Sequence, residues 1–239
     1  NGTEKANYNG AMVYAADLEG KVTKINLTDQ GTMYQTTTLF NAESNSANGR
    51  YIYTKPDAAI NDNKLWLYFG TGDIQKLQTQ SSSIVNRLYG IKDKDFPNFK
   101  TINSAGTISQ CKTGSNNCPG PTDLGWYVNL DKSKKVTAES TVDKNLVLFP
   151  IYEPKPTTNI CDSGNAILAD VDSICGGATF RTLGKGVLSK VVVLGKNLIM
   201  GISGEADKDV KSQGNLITLE SGATGGSVKV QLEGWRESN

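Results

Sequence analysis

Apolar and polar residues alternate along most of the chain, in short runs that are rich in β-branched and aromatic residues. Glycine and Asn-Gly positions separate the runs, which is typical of antiparallel strands joined by tight turns. Helical spacing is plausible only over residues 74–88, where the serines at 81–83 indicate that any helix is short or absent. The pattern therefore predicts an all-β protein.

The strand pattern repeats. Three times, a lysine-bearing turn leads into an apolar strand that ends in glycine or proline, over 64–70, 144–150 and 196–201. Each of these strands has a similar setting. A strand-like segment precedes it (56–60, 137–142 and 189–194), a strand leading into an acidic or glycine-rich turn follows it (88–93, 167–172 and 216–220), and a short fourth strand closes the unit (126–130, 178–183 and 227–232). Residues 13–27 are similar to the last hairpin of one more unit.

Four antiparallel strands repeated every roughly 50 to 80 residues are typical of β-propeller blades. The chain would then hold about three and a half blades, whereas a closed propeller needs about four to eight. We therefore expect residues 1–239 to form one partial propeller domain, completed by blades upstream or in another chain, since an open array leaves strand edges unpaired. The alternative is a β-sandwich whose strands are similar by accident.

Cysteine usage bears on the compartment and on the longest loop. The chain has four cysteines, Cys111, Cys118, Cys161 and Cys175, with no Cys-x-x-Cys motif. An even count in a chain of this composition predicts two disulfides and an oxidising compartment. Of the three possible connectivities we favour the neighbours, Cys111–Cys118 and Cys161–Cys175, and the alternative is four free thiols in the cytosol. Segment 94–125, which has no sustained period, is then predicted to be a disulfide-stapled surface insertion that could carry binding.

Composition narrows the possible functions. The absence of histidine excludes Ser-His-Asp and Cys-His catalysis and histidine zinc sites. With 25 basic and 24 acidic residues, the net charge of +1 argues against a nucleic-acid partner. The longest apolar runs are too short to span a bilayer. The first ten residues are polar, so we expect any signal peptide to be removed or to lie upstream.

Four local features are weak candidates for chemistry. Asp170 and Asp172 share one face of a strand and could, with Asp162 and Asp17, bind calcium, but turn formation is the favoured interpretation because no EF-hand loop occurs. The segment 70–73 is a weak candidate for a phosphate loop. The third feature is the set of tryptophans, Trp66, Trp126 and Trp235, which core packing explains. The fourth is a short glycosylation sequon, Asn26-Leu27-Thr28.

The opening hairpin carries a more specific signal. Residues 14–20 read Tyr-Ala-Ala-Asp-Leu-Glu-Gly and are followed by Val22, Lys24 and Leu27. This segment resembles the Tyr-Ala-Gly-Asp-Leu-x-Gly hairpin of the PilC/PilY family of type IV pilus tip-associated adhesins and biogenesis factors. Further similarities follow in the family's order along nearly the whole chain, at 68–72, 88–91, 125–130, 145–149, 161–177 and 235–237.

The resemblance implies the C-terminal part of a modified seven-bladed propeller, in a protein secreted by a Gram-negative bacterium to the pilus tip or outer membrane. It also implies minor pilins as partners, and roles in pilus assembly and in adhesion to host cells or abiotic surfaces. The family's calcium loop would fall within residues 1–11, where only Asn7 and Asn9 offer side-chain oxygens near the right place and no Asp occurs. We therefore expect no metal or other cofactor. Ala16, Thr23 and Ile25 also depart from the family pattern, and Arg-Gly-Asp is absent.

The leading hypothesis is a non-enzymatic segment of a pilus tip protein. One alternative is a quinoprotein-like propeller enzyme, whose blades share an Ala-x-Asp-x-x-Gly hairpin. The other is a periplasmic glycan-binding propeller.

Overall fold

A computed structural model describes residues 10–114, 117–131, 133–156 and 163–224, together with the backbone of strand 228–229. These residues form strands and two short 3-10 turns, Ile74–Lys76 and Ile108–Gln110. The strands, in chain order, are β1 (Gly10–Ala16), β2 (Lys21–Thr28), β3 (Thr36–Asn41), β4 (Asp57–Asn61), β5 (Lys64–Gly70), β6 (Asn86–Asp93), β7 (Cys111–Thr113), β8 (Gly125–Leu130), β9 (Lys135–Val136), β10 (Thr141–Asp143), β11 (Leu146–Glu153), β12 (Asn165–Asp172), β13 (Ala178–Lys185), β14 (Val192–Leu194), β15 (Asn197–Gly201), β16 (Ser212–Gln213), β17 (Leu216–Glu220) and β18 (Val228–Lys229).

The strands form four sheets. The first has the order β1-β2-β3, and the second has the order β18-β4-β5-β6-β8-β7. The third has the order β10-β11-β12-β13, with β9 also pairing with β11, and the fourth has the order β14-β15-β17-β16. Among the strands named above, all pairs are antiparallel except β7 with β8. The predicted all-β, propeller-type blades are confirmed, and four sheets replace the two of a sandwich.

The sheets pack face to face through three clusters of buried side chains. The first interface joins sheets one and two, the second joins sheets two and three, and the third joins sheets three and four. In β5, Leu65, Leu67 and Phe69 enter the first interface, while Trp66 and Tyr68 enter the second. Because successive side chains of a strand point to opposite faces, a strand covered on both faces is apolar throughout. This explains the uninterrupted apolar runs of β5 and β11.

The predicted units are confirmed except for the last strand. The sequence pattern predicts that 227–232 closes the fourth sheet, but β16 occupies that edge and β18 pairs with β4 of the second sheet. The chain leaves the fourth sheet after β17, because the Ser221 hydroxyl donates to the Asp143 carboxylate and the Thr224 amide donates to Asn145 Oδ1 at 2.7 Å. Both acceptors lie at the β10–β11 turn. The remainder of 227–232 lies outside the described residues.

Two further predictions, the opening hairpin and the short helical stretch, are confirmed. The opening hairpin is confirmed as β1 and β2, and it gains a third strand, β3, whose Phe40 is fully buried in the first interface. In segment 74–88 the helix is short, as expected, since the 3-10 turn Ile74–Lys76 is one turn long and is capped by the Asp73 carboxylate. Within the described part of the chain, no helix has the length and apolar character needed to cross a membrane.

Candidate functional site

The long segment between β6 and β8 is built into the fold at several points. Leu39 O accepts from the Gly106 amide at 3.1 Å, and Gly106 O accepts from the Asn41 amide at 2.8 Å. Phe96, Ile102 and Ile108 pack against the first interface. The segment therefore joins the first sheet to the second at several points along its length.

The disulfide in this segment differs from the expected one. Cys118 is bonded to Cys175, in the turn between β12 and β13, so the favoured neighbour pairing is wrong. The turn lies against β8, because Trp126 Nε1 donates to Ser173 O at 3.0 Å and a Cβ on Gly176 would lie 2.8 Å from the Trp126 ring. That contact brings residues 57 positions apart together, which spacing in the sequence cannot reveal.

The other two predicted disulfide cysteines have different outcomes. Cys111 is half-buried and has no disulfide partner among the residues that the structure describes. Burial, and secondarily the nearby Asp123 carboxylate, raises the pKa of its thiol to about 12, which makes it a poor nucleophile. Cys161 lies outside the described residues.

A cavity of about 420 Å³ lies beside the Cys118–Cys175 disulfide. Its walls come from the β4–β5 turn, one face of β5 and β6, the proline-rich end of the long segment, and the β12–β13 turn. We call it the lysine pocket, and its lining residues are Asp62, Lys64, Trp66, Lys92, Lys94, Pro119, Gly120, Pro121 and Ile174. Pro119 and Ile174 are the chain neighbours of the two disulfide cysteines, so the bond holds two walls of the pocket together.

Strand register brings the three lysines of the pocket together. Trp66 and Lys92 are directly opposite in the β5–β6 pair, and Lys64 and Lys94 lie two residues away on the same face. Lys92 is buried, and its ammonium donates to Gly120 O at 2.7 Å and lies 5.2 Å from the centre of the Trp66 ring. Burial, and secondarily the Lys94 ammonium, lowers the pKa of Lys92. The ammonium groups of Lys92 and Lys94 therefore repel each other at a site that is partly shielded from water.

Two further groups define the chemistry of the pocket. Trp66 is only 2% exposed, and its Nε1 has no hydrogen-bond acceptor in the described part of the protein. Asp62, at the β4–β5 turn, supplies a carboxylate on the same rim.

The sequence contained one signal for this site, because lysines at 92 and 94 alternate on a strand after a lysine-bearing turn at 64. This signal does not predict the site by itself, since only the pairing of β5 with β6 makes the three lysines neighbours.

Of the acidic residues considered for calcium, the three that the structure describes each have another role. The Asp170 carboxylate pairs with Arg181, with Nη2 of Arg181 2.7 Å from Oδ2. Asp172 Oδ1 accepts from the amides of Ile174 and Cys175 at 3.0 and 2.7 Å, so it shapes the turn as expected. Asp17 Oδ1 likewise accepts a hydrogen bond from the Lys21 amide, at 2.9 Å. Asp162 lies outside the described residues, among which no cluster of metal-binding side chains occurs.

The remaining candidates serve the fold. Trp66 and Trp126 are buried in the second interface, and Trp235 lies outside the described residues. The segment 70–73 leads into the capped 3-10 turn Ile74–Lys76. Asn26 of the sequon is fully buried, and its Nδ2 donates to Gln30 O and Thr32 O at 2.7 and 3.1 Å, so the folded chain offers no free amide to a glycan.

Comparison with known proteins adds one informative similarity. No protein-family model and no curated protein matches the sequence. Among solved structures, the crystal structure of the Pseudomonas aeruginosa PilY1 C-terminal domain matches with a TM-score of 0.57 and 14% sequence identity. The match covers 87% of this chain and 57% of that one, so the chain spans little more than half of that domain. At this level of identity the similarity shows a shared fold.

Proposed function

We propose that this chain is a non-enzymatic part of a type IV pilus tip-associated protein, supporting pilus biogenesis and adhesion to surfaces or host cells. The observation that carries the proposal is the similarity to the PilY1 C-terminal domain over 87% of the chain. The ordered motifs that begin at Tyr14 support it as well. On this proposal the protein lies outside the cytoplasm of a Gram-negative bacterium, where the Cys118–Cys175 disulfide would persist.

Buried polar contacts between sheets suit a scaffold that must keep its shape. Lys24 Nζ lies 2.6 Å from Asp93 Oδ2, and both side chains are almost fully buried. The Tyr14 hydroxyl donates to the same carboxylate oxygen at 2.5 Å. This network fixes β1 and β2 against the end of β6. Because removal of one partner from a buried ion pair costs about 3–5 kcal/mol, sliding of the first sheet over the second is strongly opposed.

The first strands of successive sheets are also joined to one another. The Val142 amide of β10 donates to Asp57 Oδ2 of β4 at 2.9 Å. The Thr141 hydroxyl donates to the carbonyl of Val191, just before β14, at 2.8 Å. The second, third and fourth sheets are therefore linked at one end by side-chain hydrogen bonds, in addition to their apolar interfaces.

The exposed face of the fourth sheet suggests where a further sheet would pack. The second and third sheets are packed on both faces, whereas Val192, Leu194 and Leu216 are 58%, 64% and 47% exposed. These three side chains are on the face opposite the buried Leu198 and Ile217. We assign this aliphatic face to contact with a further propeller blade, since each described sheet-to-sheet interface is of the same kind and the comparison domain is longer than this chain.

The experiment that tests the proposed function is affinity purification from the native bacterium. The chain, with its natural flanking sequence and an epitope tag, should co-purify with minor pilins after mild crosslinking. A strain that lacks the minor pilins provides the control and should give none of these adducts. Recovery of the tagged protein without any pilus component, in cells that carry assembled pili, would contradict the proposal.

A further inference from the structure

We propose that the lysine pocket binds the carboxylate of an acidic sugar, such as a uronic acid. This proposal goes beyond pilus association and does not depend on it. It begins from the charge of the pocket. None of the ammonium groups of Lys64, Lys92 and Lys94 has a carboxylate within 4.0 Å among the described residues. They donate instead to the carbonyls of Lys94, Gly120 and Thr122, respectively.

Other buried lysines of the described chain are compensated. Lys24 is paired with Asp93, and the Lys135 ammonium donates to three backbone carbonyls. Lys92 has one carbonyl acceptor and the Trp66 ring, although an ammonium can donate three hydrogen bonds. Like charges on adjacent strands destabilise a sheet, and burial of a cation without a counter-ion adds to that cost. An anion in the pocket would relieve both effects.

The buried indole of Trp66 is a second and independent observation. Trp66 lines the pocket, and its buried Nε1 donor has no acceptor in the described part of the chain. An unsatisfied buried donor costs free energy and is uncommon in folded proteins. Because Nε1 itself is shielded from solvent, an oxygen atom of a bound ligand would supply the missing acceptor only after a small movement of the pocket wall.

The other walls favour a sugar acid over a more highly charged anion. Asp62 places a negative charge on the rim, which repels a phosphate dianion more than a single carboxylate. The same carboxylate, and carbonyl oxygens such as that of Gly120, can accept hydrogen bonds from sugar hydroxyls. Pro119, Pro121 and Ile174 give the cavity apolar sides, and its volume of about 420 Å³ is within the range of small-ligand sites.

Calorimetric titration of the full 239-residue chain tests the proposal. Glucuronate should bind saturably and more weakly as salt increases, because the site is electrostatic. Glucose, which has the same ring and no carboxylate, should not bind. Equal heats for the two sugars, or no binding of glucuronate, would overturn the proposal.

Substitutions locate the binding. The double variant Lys64→Gln/Lys94→Gln should weaken glucuronate binding about tenfold or more, because two charge-assisted contacts are lost. The matched control, Lys208→Gln/Lys211→Gln, removes two exposed lysines from the connection between β15 and β16 and should leave binding unchanged. Unchanged affinity in the first variant, with an unchanged melting temperature, would overturn the assignment to this pocket.

Two competitors and one further variant complete the test. N-acetylaspartate and inorganic phosphate should compete less well than glucuronate, and stronger competition by either would overturn the choice of a sugar acid. The variant Cys118→Ser/Cys175→Ser should bind glucuronate more weakly, because the two walls beside the bond are released. Co-purification of Lys64→Gln/Lys94→Gln with minor pilins should persist, which separates failure of this site from failure of the proposed function.

Discussion

Lys135 shows how a single buried residue can make stability depend on pH. Its side chain is 1% exposed, and its ammonium donates to the carbonyls of Leu77, Thr79 and Ser133 at 3.0, 2.8 and 2.9 Å. Burial lowers the pKa of Lys135 to about 8. The residue holds the segment after the 3-10 turn Ile74–Lys76 against the β8–β9 connection.

The sign of the pH effect follows from proton binding. Between pH 8 and the ordinary lysine pKa of 10.5, the unfolded chain holds a proton on Lys135 that the folded chain has released. The Lys135 contribution to the free energy of unfolding therefore increases as pH rises through this range. The difference in unfolding free energy between the unmodified chain and Lys135→Met should increase by about 2 kcal/mol from pH 7 to pH 9.5.

Urea titration at each pH measures this difference. The variant Lys196→Met, which changes an exposed lysine in the β14–β15 turn, gives the baseline. A difference that stays constant or decreases with pH would show that the Lys135 ammonium stays charged in the folded state above pH 8.

Only part of the residue-scale picture is accessible from the sequence. Alternation correctly places Trp66 and Trp126 in the core, and the Asp172 turn is typical of its residue type. The pairs that determine the buried charges are separated by 69 positions for Lys24 and Asp93 and by 58 for Lys135 and Leu77. Sequence periodicity describes one strand at a time and carries no information about such distant partners.

Strands and turns follow local pattern closely in this chain, and the exceptions are non-local. The lysine-bearing turns and the apolar strands after them are confirmed at β5, β11 and β15, since turn chemistry and alternation both act over a few residues. The disulfide partner of Cys118 and the sheet that receives β18 depend on contacts between different sheets. The lysine pocket cannot be predicted from the sequence either, because its walls also come from different sheets.

The outer face of the fourth sheet gives a prediction at the scale of an element. The double variant Val192→Thr/Leu194→Thr keeps β-forming side chains and removes exposed apolar surface. It should lower dye binding and self-association of the chain, because an uncovered aliphatic face promotes both. The free energy of unfolding should change by less than about 1 kcal/mol, since surface substitutions have small effects.

The matched control is Leu198→Thr, on the opposite face of the same sheet. Leu198 is 1% exposed in the third interface, so this variant should be destabilised by roughly 2 kcal/mol or more. If Val192→Thr/Leu194→Thr is destabilised as much as the control, the outer face is already covered within this chain.

At the scale of the whole molecule, four sheets stack through three apolar interfaces, and a disulfide and buried polar contacts tie neighbouring sheets together. Because each sheet packs against its neighbours, the four sheets together hold the connecting loops in place. The lysine pocket is formed by parts of the second and third sheets and by the long segment between β6 and β8. Its geometry therefore depends on the stack as a whole.

The proposed function places this chain at the bacterial surface in association with type IV pili. Mass spectrometry of sheared surface fibres and of cytoplasm from the native bacterium, with thiols alkylated before and after reduction, tests it most directly. Peptides of this chain should be enriched in the fibre fraction, with Cys118 and Cys175 alkylated only after reduction. Recovery of the chain in the cytoplasm, with both thiols alkylated before reduction, would contradict it.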